Sequence, residues 1–177
     1  MAARTTRLDL ARPTLDDVDA LHAIYADPWS GRTSRACASR SASRPSGWSP
    51  AGSRPGRSMA SGNASCAHRG DLLGHAGCEV RDDTFVNLGY RLAPRPRPGL
   101  ATEAALADVA EARDRRPDLP VVAYLVAHNH ASARVATKVG LTLRHSAPDV
   151  GNPDPGVVRH VYADRELTDA ELAATLR

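Results

Sequence analysis

The chain has 177 residues, of which 42% are hydrophobic and only 4% aromatic, so it can form one domain with a mainly aliphatic core. It has no apolar run near the roughly 18 residues of a membrane span, no secretory signal at its start, and no CxxC pair among its three cysteines to indicate a zinc site or a disulfide framework. We therefore expect one domain over residues 1–177, located in the cytoplasm, with no metal and no membrane partner.

The net charge of +3 is distributed unevenly. Residues 30–70 contain seven Arg and eleven Ser but no Asp, Glu, Lys, Leu, Ile, Val, Phe or Tyr. A low-complexity segment of this kind cannot bury enough apolar surface to offset its ordering entropy, so we predict that it is disordered or loosely attached. Three interpretations stay open: a solvated insert, an Arg-rich arm that binds nucleic acid, or a locally shifted reading frame in a GC-rich gene.

The rest of the chain predicts alternating strands and helices, typical of an α/β (α+β) domain. Residues 5–11 predict a first strand, and a helix over 14–26 begins with a capping box in which Asp17 replaces the usual Glu. Two strands, 71–80 and 84–92, form a hairpin through a polar turn. The later elements are a helix over 100–113, a buried strand over 121–126, a short helix over 131–138, two weaker strands over 141–145 and 157–162, and a terminal helix over 168–176.

A glycine turn leads from the second hairpin strand into the strongest predicted helix. Gly99 stands where the chain must turn tightly, and the first helical N–H groups have no partner within the helix. Together with the helix dipole these groups form a cradle for a pyrophosphate. Arg95 and Arg97 add positive charges whose planar forks suit phosphate oxygens. The alternative is an ordinary loop before an Ala-rich helix.

The segment HNHASARVATKVGL, after the buried strand, adds a second motif. Together with GLATEAA earlier in the chain, it resembles the GNAT acetyltransferase superfamily, and within it the RimJ/RimL-like amine N-acetyltransferases. The resemblance covers about 1–28 and 71–165. The matching positions are Gly99 and Ala101 in the turn, then Asn129, Ser132, Lys138, Gly140 and Leu141.

The resemblance implies a central mixed, mostly antiparallel sheet flanked by helices, which opens between strands 84–92 and 121–126. The pantetheine arm of acetyl-CoA would lie in this opening, and its acetyl group would pass directly to a primary amine on a protein N-terminus or a small molecule. A backbone N–H near Leu92 would stabilise the oxyanion. No metal is implied, and a homodimer is compatible with this branch. The implied cofactor-binding residues are Leu92, Arg95, Arg97, Gly99, Leu100, Ala101, Thr102, Asn129 and Ser132.

The resemblance also places candidate catalytic residues. Ser132 occupies the position from which the family protonates the departing thiolate, the alternative being a hydroxyl that only supports the helix start. No motif assigns the general base. Glu79 is the first candidate, and His75 lies four residues away on the same face of the strand. A solvated rim residue is the alternative for both, and we expect Tyr124 and Cys78 in the core.

Three features depart from the family pattern. Pro96 stands where the family has Arg or Gln, and both Pro96 and Pro98 lack an N–H for the phosphates. Asn87 stands where the family commonly has Glu, and residues 30–70 replace part of the acceptor side. Two alternatives therefore stay open: a non-catalytic remnant that binds acyl-CoA, and a nucleic-acid-associated module that uses residues 30–70. We do not expect nucleic acid as the main partner.

Overall fold

The structure is a computed structural model that describes residues 3–26, 64–93, 98–150 and 152–176. These residues form eight strands and four α helices. The strands are β1 (Ala3–Arg4), β2 (Asp9–Ala11), β3 (Ala64–His68), β4 (Asp71–Arg81), β5 (Phe85–Leu92), β6 (Val121–Val126), β7 (Thr142–Pro148) and β8 (Val158–Ala163). The helices are α1 (Val18–Ala26), α2 (Leu100–Arg115), α3 (His130–Lys138) and α4 (Asp169–Thr175).

All eight strands belong to one sheet with the order β1-β2-β3-β4-β5-β6-β8-β7. Among the described strands, β5 and β6 pair in parallel, while the other neighbours pair antiparallel. The predicted mixed, mostly antiparallel sheet flanked by helices is therefore confirmed. None of the described helices combines the length and the apolar character needed to cross a membrane.

The N-terminal elements differ in detail from the prediction. The strand predicted over 5–11 is wrong in its first half, because the backbone N–H of Thr5 donates to the carbonyl of Leu8 at 2.9 Å and closes a turn. The capping box is confirmed, since the backbone N–H of Thr14 donates to the carboxylate of Asp17 at 2.8 Å. The first helical turn, Leu15–Asp17, is a 3₁₀ turn that continues into α1.

The predicted hairpin of β4 and β5 is confirmed, and its turn contains no glycine. Asp82 and Asp83 have φ angles of 49° and 50°, and the N–H of Thr84 donates to the carbonyl of Arg81 at 2.9 Å. Two consecutive residues with positive φ match the twist of the flanking strands, and Asp tolerates this conformation better than most residues. The turn therefore fixes the register that sets Glu79 opposite Asn87.

The prediction of disorder over residues 30–70 is wrong at its C-terminal end. Residues 64–68 form β3, which pairs with β2 on one side and β4 on the other. This strand has no large apolar residue, so its place depends on ladder hydrogen bonds and on the burial of small side chains such as Cys66. Residues 30–63 of the segment lie outside the described residues. The interpretation of this segment as a nucleic-acid-binding arm therefore also falls outside the part of the chain that the structure describes.

The sheet has two faces that differ in character. Cys78, Val86 and Leu88 lie on one face, which we call the α2 face, and pack with Val109 of α2 in the main hydrophobic cluster. The alternate residues of β4 and β5 lie on the other face, which we call the α1 face because Tyr25 of α1 contacts it. The α1 face carries His75, Glu79, Asn87 and Arg91.

Candidate active site

The parallel pair of β5 and β6 is very short. The two strands pair only at Val86–Val121 and Asn87–Val122, although β5 continues for five more residues and β6 for four. They therefore diverge after Asn87 and leave a cleft between residues 88–92 and 123–126. The predicted opening of the sheet lies at this cleft.

Backbone groups of β5 point into the cleft. The N–H of Val86 donates to the carbonyl of Pro120 on the β6 side, whereas the N–H of Ala93 donates to the carbonyl of Leu73 on β4. Because successive N–H groups of a strand alternate between its two edges, the N–H groups of Tyr90 and Leu92 face the cleft. These donors are available to a ligand that runs along β5.

The turn that follows β5 ends at the start of α2. Gly99 has φ +86°, a left-handed conformation that favours glycine, and its carbonyl accepts from the N–H of Glu103 at 2.9 Å. The N–H groups of Leu100, Ala101 and Thr102 therefore begin the helix without a partner within it. Arg95 and Arg97, the two other predicted phosphate ligands, lie outside the described residues.

An arginine that the sequence did not single out lies against this turn. The Nη1 of Arg7 donates to the carbonyl of Pro98 at 3.1 Å, and its Nε donates to the carboxylate of Glu103 at 2.6 Å. Burial alone would raise the pKa of Glu103, but the hydrogen bonds from Thr5 and Arg7 outweigh it and lower that pKa. No local motif could have predicted the pair, because 96 positions separate Arg7 from Glu103.

Asn129 and Ser132 form a closed pair at the start of α3. The backbone N–H of Ser132 donates to Oδ1 of Asn129 at 3.0 Å, and Nδ2 of Asn129 donates to Oγ of Ser132 at 2.8 Å. Since Nδ2 can only donate, Oγ must accept there, and the hydroxyl proton of Ser132 remains available to another acceptor. The two predicted residues are thus in contact, and the serine is fixed as a donor.

Tyr90 is a second residue that the sequence analysis missed. It is a β5 residue on the α2 face, and its hydroxyl donates to the backbone carbonyl of Ser132 at 3.2 Å. Burial raises the pKa of Tyr90 above its ordinary value, so it stays protonated and acts as a donor. This bond crosses from the open half of β5 to the first turn of α3 and holds the Asn129–Ser132 pair beside the cleft.

Glu79 lies at the closed end of the cleft. It is opposite Asn87, the last residue of β5 that pairs with β6. Its side chain is about half exposed, at 48%, and forms an ion pair with Arg81 at 2.9 Å. It is therefore an accessible carboxylate on the α1 face, placed where the two strands begin to separate.

His75 has a different environment from Glu79. It stacks on Tyr25 with ring centroids 5.3 Å apart, and the Tyr25 hydroxyl lies 3.0 Å from its Nε2. Burial, with a smaller contribution from Arg91, lowers the pKa of His75 to about 4. Four residues along a strand span about 13 Å, so the two base candidates are not brought together. His75 is a neutral residue that packs α1 onto the sheet.

Comparison with known protein families decides what kind of domain this is. A sequence model for the acetyltransferase (GNAT) domain matches residues 7–142. The chain belongs to the GNAT acetyltransferase family. The match includes the Gly99 turn, the cleft strands and the Asn129–Ser132 pair. Among curated proteins, no sequence matches this acetyltransferase.

Solved structures share the fold of this acetyltransferase at low sequence identity. A GNAT-family acetyltransferase from Bacillus anthracis superposes with a TM-score of 0.68 at 17% identity, over 92% of this chain and 97% of that one. An acetyltransferase from Agrobacterium tumefaciens gives 0.64 at 21% identity, over 92% and 94%. RimL, a ribosomal L7/L12 alpha-N-protein acetyltransferase in complex with coenzyme A, gives 0.67 at 16% identity, over 94% and 98%.

Two further features lie outside the Asn129–Ser132 pair. Three residues of α3, His130, Arg134 and Lys138, line an open groove of about 490 Å³ on the exposed side of that helix. The prediction that Tyr124 is in the core is wrong: it is 37% exposed, with its ring edge against Phe85. The buried residues of β6 are mainly Val121, Val122 and Ala123, at the end of the strand where β6 lies nearest to β5.

Cys78 lies in the core, as predicted. It is fully buried in the cluster on the α2 face. Burial raises the pKa of its thiol, with further contributions from Asp108 and Glu111, so it is protonated and inert at neutral pH. Within the described ranges, no group of three or more His, Cys, Asp or Glu is arranged to hold a metal ion.

Proposed function

We propose that this acetyltransferase transfers the acetyl group of acetyl-CoA directly to a primary amine, as a RimJ/RimL-like enzyme. Acetyl-CoA-dependent acetyl transfer is general for the family, whereas the acceptor is specific to each member. The fold is shared with RimL, which is described as a ribosomal L7/L12 alpha-N-protein acetyltransferase. A protein N-terminus is therefore the first acceptor to test, and a small-molecule amine is the second.

One observation carries this proposal. The hydrogen bond from Tyr90 to the carbonyl of Ser132 joins the open half of β5 to the start of α3. This bond supports a single site in which the N–H groups of Tyr90 and Leu92 and the Asn129–Ser132 pair flank the cleft, and the Gly99 turn follows β5 along the chain. A phosphate cradle, donors for an extended amide chain and a proton donor are the groups that an acyl-CoA would need.

The residues of the cleft fit acetyl-CoA from its phosphates to its thioester. The first N–H groups of α2, at Leu100, Ala101 and Thr102, point their donors and the positive end of the helix dipole at a pyrophosphate. Arg134 and Lys138 supply further positive charge on the exposed side of α3. Arg95 and Arg97 are assigned to the same phosphates as predictions from the sequence.

The proton transfers divide between the two faces of the sheet. When bound, acetyl-CoA supplies the acetyl group, and CoA is released as the free thiol. Glu79 takes the proton of the acceptor ammonium through a chain of water molecules, because it is an exposed carboxylate level with Asn87 and about 16 Å along the strand from Leu92. The N–H of Leu92 stabilises negative charge on the carbonyl oxygen. Ser132, fixed as a donor by Asn129, gives its proton to the sulfur and regains one, through water, from the second N–H of the amine as it becomes the amide.

The proposal is tested by the release of CoA thiol when an amine is added. We expect release with a peptide that has a free N-terminus or with a small primary amine, and none without an acceptor. Replacing Ser132→Ala should lower kcat by about 100-fold or more, the usual contribution of a positioned acid, and should weaken acetyl-CoA binding far less than it lowers kcat. Ser146→Ala, an exposed serine on β7, is the matched control and should have no effect.

The non-catalytic remnant is a second candidate, which two observations favour. Asn87 cannot act as a base, and the carboxylate of Glu79 is engaged by Arg81. A protein that binds acetyl-CoA but releases no thiol with either class of amine would be a remnant and would contradict our proposal. The homodimer and the cytoplasmic location stay predictions.

A further inference from the structure

We propose that Arg7 is a phosphate-binding and positioning residue of the acetyl-CoA site, where it takes the place of the basic or amide residue that Pro96 has displaced. The inference rests on the proposed function, because it assigns a role at the same cofactor turn. Arg7 lies near the start of the chain, between β1 and β2, far in sequence from the GLATEAA motif.

The turn before β2 is built to deliver this side chain. The Thr5 hydroxyl accepts from the N–H of Leu8 at 3.0 Å and donates to the carboxylate of Glu103 at 2.6 Å. The backbone N–H of Arg7 donates to the same carboxylate oxygen at 2.7 Å. The turn is thus fixed to the first part of α2 by backbone and side-chain bonds, before the guanidinium itself is considered.

The guanidinium then lies across the cofactor turn. Its Nε donates to Glu103 and its Nη1 to the carbonyl of Pro98, which orients the planar group over Gly99. A Cβ built on Gly99 would lie 3.1 Å from Nη2 of Arg7. Nη2 makes no hydrogen bond within the described residues, so the donor nearest to Gly99 is the one that remains for a ligand.

The donors of this turn explain why an arginine is needed there. Proline has no N–H, so Pro96 and Pro98 remove two backbone donors from the turn. Arg7 offers an oriented N–H beside Gly99, and a guanidinium suits phosphate oxygens in both charge and geometry. It also neutralises Glu103, whose carboxylate would otherwise repel a phosphate at the helix start.

The two roles of Arg7 predict a definite pattern of affinities. Arg7→Ala should weaken CoA binding by about 10- to 100-fold, the usual effect of losing a hydrogen bond to a charged group. The variant also removes the guanidinium charge that neutralises Glu103, so the double variant Arg7→Ala with Glu103→Ala should recover part of the lost affinity. Arg7→Lys, which keeps the charge but loses the fork, should fall between the wild type and Arg7→Ala.

The experiment compares CoA with a ligand that has no phosphate. Calorimetric titration measures the Kd of CoA, and steady-state kinetics measures kcat/KM for S-acetylpantetheine, which carries the thioester without the nucleotide. Arg7→Ala should weaken CoA but leave kcat/KM for S-acetylpantetheine unchanged. Arg4→Ala is the matched control, since Arg4 lies on the same hairpin, is 82% exposed, and pairs with Asp9.

Two results would overturn the inference about Arg7 alone. The first is an unchanged Kd for CoA in Arg7→Ala and Arg7→Lys. The second is an equal loss with CoA and S-acetylpantetheine, which would mean that Arg7 supports the fold and not the phosphate. Failure of the wild-type protein to bind CoA would instead overturn the proposed function, and the inference with it.

Discussion

The two faces of the central sheet are built differently. The α2 face holds an apolar cluster, and the groups that we propose for the cofactor are mostly backbone N–H groups on β5 and at the start of α2. The α1 face carries polar side chains from several elements, among them His75, Glu79 and Arg91. In the proposed function, binding of the nucleotide cofactor would therefore depend largely on local backbone geometry, whereas contact with an acceptor would depend on side chains that only the folded sheet brings together.

Each face also contains a buried group whose shifted pKa makes stability depend on pH between about pH 4 and pH 7. Asp108 of α2 is 2% exposed, and burial, aided by Glu111, raises its pKa to about 7. Burial lowers the pKa of His75, on the α1 face, to about 4. Ionisation of Asp108 destabilises the folded protein, and so does protonation of His75. The two faces therefore respond to pH in opposite directions.

Asp108→Asn should have the larger effect. The folded protein holds the Asp108 proton up to about pH 7, whereas the unfolded chain loses it near pH 4. The wild type should therefore lose stability as pH rises through this window. Relative to Asn, the loss should reach on the order of 4 kcal/mol by pH 8. Denaturant unfolding of both proteins from pH 4 to pH 8 measures this difference in the free energy of unfolding. If the free energy of unfolding changes with pH in parallel for the two proteins, the prediction is wrong.

His75→Gln should have a smaller effect of opposite sign. The unfolded chain takes up the His75 proton below about pH 6.5, whereas the folded protein resists protonation down to about pH 4. The wild type should therefore lose stability as pH falls through this window, by roughly 3 kcal/mol relative to Gln. The same titration measures this effect. A wild-type curve that does not fall more steeply than the variant below pH 6 would contradict it.

Much of the α2 face could be predicted because its signals are local. Periodicity located β6, α2 and α3, and the spacing within NHAS brought Asn129 to Ser132. The contacts of Arg7 and Tyr90 could not be predicted, since each joins residues far apart in sequence. β3 escaped prediction for another reason: its small residues carry no hydrophobic pattern, and pairing with two neighbours holds it in place.

The central claim is that the cleft and the Gly99 turn bind acetyl-CoA, and thermal unfolding with and without millimolar acetyl-CoA tests it most directly. A ligand present at 100 times its Kd adds about 2.7 kcal/mol to the free energy of unfolding, so Tm should rise. The rise should disappear in Gly99→Glu, where a carboxylate would fill the cradle. The rise should persist in the control variant Gly140→Glu. Gly140 has the same φ of +86° as Gly99, but it lies beside Arg113, a residue near the C-terminal end of α2. A wild-type protein that unfolds cooperatively at the same Tm with and without acetyl-CoA would contradict the account.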